Sequence, residues 1–340
     1  MDTPTLYLHI GTNKTGTSAI QRFFNQHRDA LRQHGLLYPV TGCSGNAHYA
    51  FSALLGFDHS KPRPIDTSAP ALCDMRSKLE REIENSSCSH VLMSSEDFVL
   101  PRAVTPVRNF LKDFNVRVVV YLRRHDGWWE SAYNQAVKMV AEPPWGRGFD
   151  RYLRYQRMRN PKYGNYRALL NRWDEVFGSD NIIVRPYEKQ QNAPNVAVDL
   201  LHAIGRGGIA QQMDVQPGSV NSSLHGDTVH LIDAFQRARI DPELRRRLIE
   251  YAIATAPAGV TQSLVEPDIR RRLVEENMQD YAYIARKYLG RKDGRMFLEP
   301  LPDPDEPWIA RPRPTPSAIV EATVQALTDA KSDKNVRSVA

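Results

Sequence analysis

The chain has 340 residues, of which 41% are hydrophobic and 25% charged, with a formal charge of +6. That is enough apolar material for one large domain or two ordinary ones. The small cationic surplus suits an anionic ligand but falls far short of the concentrated basic stripe of a nucleic-acid binder. Cys43, Cys73 and Cys88 lack C-x-x-C spacing, which argues against a disulfide scaffold or a zinc site. The first residues carry no basic n-region, and no run approaches the ~20 apolar residues of a membrane span. The expectation is a cytoplasmic protein.

In chain order, "TLYLHI" (5–10) is a short apolar run that reads as a buried strand, followed at once by helical periodicity through Ile20, Phe23, Phe24 and Leu31. Further strands are expected at 90–95, 116–122 and 181–187, separated by helices near 74–86, 103–113, 127–140 and 165–177. Alternation of this kind with nearly continuous apolar strands predicts a three-layer α/β protein, a parallel sheet covered on both faces. From about residue 194 the strand signal fades, and 223–239, 241–254 and 265–289 read as helices. One domain is therefore expected over 1–295, with its helical region at about 194–290. A proline-rich stretch at 299–316 reads as extended, a short helix is predicted from Ser317 to Ala330, and the polar end reads as a mobile tail.

Between the first strand and first helix lies "GTNKTGTS" (11–18). At such a turn the helix's first N–H groups lack intrahelical partners, and together with the helix dipole they make an anion site. Gly11 and Gly16 permit a tight turn and close approach, Lys14 adds a cation, and Thr15, Thr17 and Ser18 add hydroxyls. The ATP-binding loop G-x-x-x-x-G-K-[ST] places lysine directly after the last glycine, with a hydroxyl beside it for Mg²⁺. Here the order is Lys14-Thr15-Gly16-Thr17, so the metal-binding half is altered. An ordinary Gly/Thr-rich turn is the plain alternative.

A second stretch, "VVVYLRRHDGWWES" (118–131), ends a strand at Arg123 and Arg124 and starts a helix on which Ser131 lies eight residues after Arg123. Arginine at a strand end and serine on the next helix can share one phosphate, although such an arginine is often a surface ion pair. Together the two motifs resemble the sulfotransferase family that uses 3′-phosphoadenosine 5′-phosphosulfate (PAPS), and the rest of 5–290 looks similar to bacterial members acting on carbohydrates. The resemblance implies a P-loop NTPase-like core with the 5′-phosphosulfate held by the loop residues Asn13, Lys14, Thr15, Gly16, Thr17 and Ser18. It implies a 3′-phosphate held by Arg123 and Ser131, no metal requirement, and adenosine 3′,5′-bisphosphate as product. The acceptor it implies is a hydroxyl, or secondarily an amine, of a glycan or glycolipid. A glycolipid could bring the protein to a membrane surface.

Sulfuryl transfer is an in-line displacement in which positioning and charge stabilisation dominate. Lys14 would neutralise charge on the leaving bisphosphate, and a general base must reach the acceptor. Glu96 in "SSEDF" is the first candidate, because it follows a strand ending beside the loop; its plain alternative is a carboxylate stabilised by a helix start. Asp97 is the nearest substitute, and His48 in "GNAHYAF" the second candidate. Ser94 and Ser95 could touch the transferring group. The Arg- and Tyr-rich segment 150–167 suits an anionic glycan but equally a solvated helix face, and Trp128 and Trp129 could line a pocket or the core. Two rival readings remain, an ATP-dependent kinase with a degenerate loop and a non-catalytic nucleotide binder.

Overall fold

The computed structural model describes residues 3–213, 224–257 and 262–337. It divides into two compact units that interleave along the chain. The first comprises 1–124, 164–219 and 277–300, and the second 125–163, 220–276 and 301–340.

The first unit holds a five-stranded sheet, β1 (Thr5–His9), β2 (Leu36–Leu37), β3 (His90–Ser94), β4 (Asn115–Arg123) and β5 (Ile182–Tyr187). Its order is β2-β3-β1-β4-β5, with every pairing parallel. All four expected strands are present. The fifth, β2, is a two-residue edge too short to show a period. Leu6, Leu8 and Val118 through Leu122 have no exposed surface, the burial expected when helices cover both faces. Pro186 is tolerated because β5 is the opposite edge, where a missing donor costs no ladder bond. The helices Thr17–Gln26, Pro70–Ser86, Tyr166–Phe177, Val196–Ala203 and Met278–Leu289 belong to this unit.

β1 is central. The chain leaves it towards β2 and β3 and leaves β4 towards β5, so the carboxyl ends of β1 and β4 form the switch point where ligands of open α/β sheets bind. The β1–β4 pairing runs on past the strand, with Tyr121 N donating to Gly11 O (3.2 Å) and Thr12 N to Tyr121 O (3.3 Å). This extension carries the loop into place as a continuation of the sheet.

The second unit is helical: His125–Met139, Phe149–Arg159, Gly226–Arg237, Pro242–Ala254, Pro267–Glu275 and Pro316–Arg337. Its core is built on Trp128, Trp129, Tyr133, Trp145, Tyr152, Ile232 and Phe235. Two departures from the sequence reading matter. The helix expected over 265–289 is two helices that break at Glu276–Asn277, where the chain passes between units. The proline-rich stretch, expected outside the folded domain, groups with the second unit from Leu301 onward. It has no helix or strand over 300–315 but is tied down by Trp308 Nε1 donating to Ser263 O (2.9 Å) and Arg270 pairing with Glu306 (3.2 Å). The final helix runs past Ala330 to Arg337. The rest of the expected tail, and residue 223 of an expected helix, lie outside the described residues.

Candidate active site

The loop after β1 is held in an unusual backbone conformation. Gly11 has φ 89°, Gly16 φ 77° and, between them, the non-glycine Lys14 φ 66°. A Cβ on Gly11 would stand 3.0 Å from both Cα and Cβ of Glu96; one on Gly16 would stand 3.0 Å from the Tyr187 ring and from Val196. Both glycines are therefore required by close approach as well as by φ. Gly16 is the N-cap of helix Thr17–Gln26, and no side chain caps that helix. Its first N–H groups, at Thr17 and Ser18, lack intrahelical acceptors by the geometry of any helix start, which gives the loop the donor array of an anion cradle.

The side chains of the loop divide differently from the expectation. Thr15 is fully buried, and its hydroxyl donates to Thr12 O (2.5 Å). Thr17 is nearly buried and donates to Glu96 Oε2 (2.6 Å). Both protons are thus committed inside the protein, and the two hydroxyls brace the loop. Asn13 and Lys14 are half-buried, and Ser18 is exposed.

Arg123, at the end of β4, reaches this loop. Its Nη1 donates to Lys14 O (3.2 Å), its guanidinium lies 5.8 Å from the Tyr187 ring centroid, and its own carbonyl accepts from Tyr166 Oη (2.7 Å). Two motifs 109 residues apart thus meet at the switch point. Ser131 is half-buried on helix His125–Met139, which belongs to the second unit.

Glu96 opens a short 3₁₀ turn, Glu96–Val99, directly after β3. Its two oxygens are shared between Thr17 Oγ1 and Tyr49 Oη, the latter at 3.1 Å. Burial, and then the neighbouring Glu96 charge, push the Tyr49 phenol well above its ordinary value, so Tyr49 is a fixed donor. Asp97 lies beside it with its carboxyl raised, chiefly by burial, and accepts only a long bond from Ser52 Oγ (3.4 Å).

His48 is placed otherwise than a base requires. It has no exposed surface; Nε2 donates to Pro39 O (3.0 Å), and Nδ1 accepts from Ser94 N (3.0 Å). Burial brings its pKa down to about 4. With both ring nitrogens engaged by backbone, it has no lone pair to offer an acceptor and instead pins the end of β3. Ser94 and Ser95 are also fully buried. Ser94 Oγ contacts His9 Nδ1 (2.8 Å) and accepts from Gln21 Nε2 (3.2 Å); Ser95 Oγ contacts Ser52 Oγ (2.8 Å).

Sequence reasoning missed Tyr49, Gln21 and His9. Gln21 was accessible, since it stands one turn after Thr17 on the same helix face. Trp128 and Trp129 resolve as core, each 3% exposed. In the Arg- and Tyr-rich segment Tyr152 is core, Arg151, Arg154 and Arg159 are exposed, and Arg157 pairs with Glu276 (2.5 Å). Among the described residues no helix is long and apolar enough to cross a membrane.

No protein-family model matches the chain. It is 26% identical over 215 residues to an uncharacterized protein of Archaeoglobus fulgidus. The match covers 62% of this chain and 56% of that protein, so the chain matches little more than half of the relative's length. Among solved structures, a sulfotransferase from Alicyclobacillus acidocaldarius aligns over 75% of this chain and 94% of its own. The sequence identity is 17% and the TM-score 0.40, a superposition too loose to carry an argument about chemistry.

Proposed function

We propose that this chain is a PAPS-dependent sulfotransferase that moves a sulfuryl group to a hydroxyl, or secondarily an amine, of a glycan or glycolipid. The observation that carries the reading is the contact of Arg123 with the Lys14 carbonyl beside a helix start that no side chain caps. It sets Arg123 of one motif against the loop of the other, beside backbone donors that an anion could complete.

The residues fit the cofactor. Lys14 and the N–H groups of Thr17 and Ser18 would hold the 5′-phosphosulfate, with Asn13, Thr15 and Gly16 shaping the cradle. Arg123 would hold the 3′-phosphate, with Ser131 assigned by its spacing alone. When bound, the cofactor supplies an activated sulfuryl group. Lys14 offsets negative charge at the leaving side without a metal. Glu96 takes the acceptor's proton on a carboxylate oxygen that Thr17 and Tyr49 keep oriented, since each oxygen has a second lone pair beyond the bond it already accepts. His48 braces β3 and takes no proton.

Calorimetric titration with adenosine 3′,5′-bisphosphate, without metal, tests the reading. Micromolar binding is expected, weakened at least tenfold, about 1.4 kcal/mol, by Lys14→Ala and by Arg123→Ala. Binding of ATP–Mg²⁺ alone, or bisphosphate binding indifferent to both substitutions, would overturn it in favour of a kinase or a different site. Bisphosphate binding without turnover of any glycan or glycolipid acceptor would favour the non-catalytic binder.

A further inference from the structure

The end of the sheet opposite the loop carries a second concentration of positive charge. The first residues of β1, β3 and β4 (Thr5, His90 and Asn115) stand side by side in the parallel register. With residues 202–206 they border an open cavity of about 580 Å³, within the size range of small-molecule sites. Arg117, Arg206, His90 and His202 line it, and no Asp or Glu does. Among the described residues neither Arg117 nor Arg206 forms an ion pair, whereas Arg76, Arg185, Arg237 and Arg246 all do. Grouping guanidinium groups around one cavity without a counter-charge is unfavourable unless an anion completes it.

The hydrogen bonding of Arg206 is itself incomplete. Arg206 Nη2 lies 2.6 Å from His90 Nδ1 and 2.5 Å from His90 Nε2. Burial, and then the Arg206 charge, lower the proton affinity of His90, so the ring is neutral and offers a single lone pair. The lone pair takes the Arg206 N–H at Nε2, and Nδ1–H is left to donate to Ser89 Oγ. Arg206 Nε is buried with no hydrogen-bond partner. The ring is held in place by Tyr7, stacked at 6.0 Å, and by Ser89 Oγ at 2.9 Å from Nδ1. An oxyanion in the cavity would supply the acceptor that Arg206 lacks.

We propose that this cavity is a second oxyanion site, taking a small molecule that bears a phosphate or sulfate ester. It is separate from the loop. Thr5 and His9 are four residue steps apart along β1, a span of roughly 13 Å, and the two sites open at opposite ends of the same strand. The inference does not depend on what the loop binds.

The test uses the full chain with the loop disabled by Lys14→Ala and Arg123→Ala. Inorganic phosphate and sulfate are titrated by calorimetry at ionic strength held constant with sodium chloride. The expected result is one oxyanion per chain, with affinity reduced at least tenfold when Arg117→Gln and Arg206→Gln are added. No binding in the loop-disabled chain, or binding unchanged by the two glutamines, overturns the proposal. So does affinity that chloride abolishes, which is attraction to diffuse charge. Should the glutamine variant fail to fold, the ring resonances of His90 and His202 decide. Saturable shifts on phosphate addition to the loop-disabled chain support the site, and their absence overturns it.

Discussion

Lys14→Gly should improve the fold and damage the function, and the two effects can be sized from the structure. Lys14 sits at φ 66°, where a residue with a Cβ is strained by about 1–2 kcal/mol. Glycine removes that strain but adds roughly 0.5–1 kcal/mol of backbone entropy to lose on folding. The balance is a stabilisation of ~0–1.5 kcal/mol, with the Arg123 bond to the residue 14 carbonyl kept because it needs only backbone. Loss of the ammonium removes a charge-assisted contact worth about 1.5–3 kcal/mol, so bisphosphate affinity should fall roughly tenfold to more than a hundredfold. Lys14→Ala separates the terms: it loses the same affinity but keeps the strain, and should match the wild type in stability. Urea unfolding and calorimetry on the three proteins provide the check. A Lys14→Gly protein less stable than Lys14→Ala would refute the strain argument; unchanged affinity in both would refute the role of the ammonium.

Gly11→Ala should cost at least ~2 kcal/mol, because it combines an unfavourable φ with a Cβ 3.0 Å from the Glu96 backbone; stability within about 0.5 kcal/mol of wild type by urea unfolding, the range of a neutral surface substitution, would contradict it. Glu96→Gln should lower turnover by about 10²-fold or more while bisphosphate affinity stays within about threefold, and equal losses in both would make Glu96 a structural residue. His48→Ala strands the Pro39 carbonyl and the Ser94 N–H, at ~1–3 kcal/mol each, so it should destabilise the fold and leave nucleotide affinity intact, read by unfolding and calorimetry together; a stable but inactive variant would restore it as the base. Acid should act through the same group. His48 and His9 are fully buried with pKa values lowered from 6.5 to about 4 and about 3. In each the neutral form is favoured by folding, so the stabilisation is complete above 6.5 and is lost as pH falls towards the folded values. Between pH 6 and 5, with carboxylates still mostly ionised, unfolding should take up close to two protons from this pair, a loss of about 2–3 kcal/mol per pH unit. A flat stability curve in that window would show that these rings are not held neutral.

The strands were legible because a sheet covered on both faces demands continuous apolar runs, and β4 (Asn115–Arg123) is the longest of them. The order β2-β3-β1-β4-β5 was not, since pairing partners are set by packing between segments and leave no mark on a single strand. The interleaving of the units was equally hidden. Leu273 is buried in the core of the second unit, and Tyr281 and Ile284 are buried on the helix that belongs to the first, yet their spacing continues as one helical period. Only the turn at Glu276–Asn277 separates them, and its residues are common inside helices.

The site was legible to the extent that its chemistry is written in backbone. Gly11, Gly16 and an uncapped helix start can be read from a strand, a glycine pattern and a helix, because conformation follows locally from residue type. Side-chain roles followed no such rule. Thr15 and Thr17 read as ligand donors, but each donates within the protein, one to Thr12 and one to Glu96. His48 read as a base until Pro39 and Ser94 closed on its two nitrogens. A hydroxyl or imidazole has too few hydrogen-bonding positions to brace a loop and serve a ligand at once. Which task it performs is decided by its partners, and for Thr17 and one nitrogen of His48 those lie 79 and 46 residues away. That is why Arg123 counts for more here than any residue of the loop: one fork-shaped side chain has five donors, enough to hold the Lys14 carbonyl and still bind a phosphate.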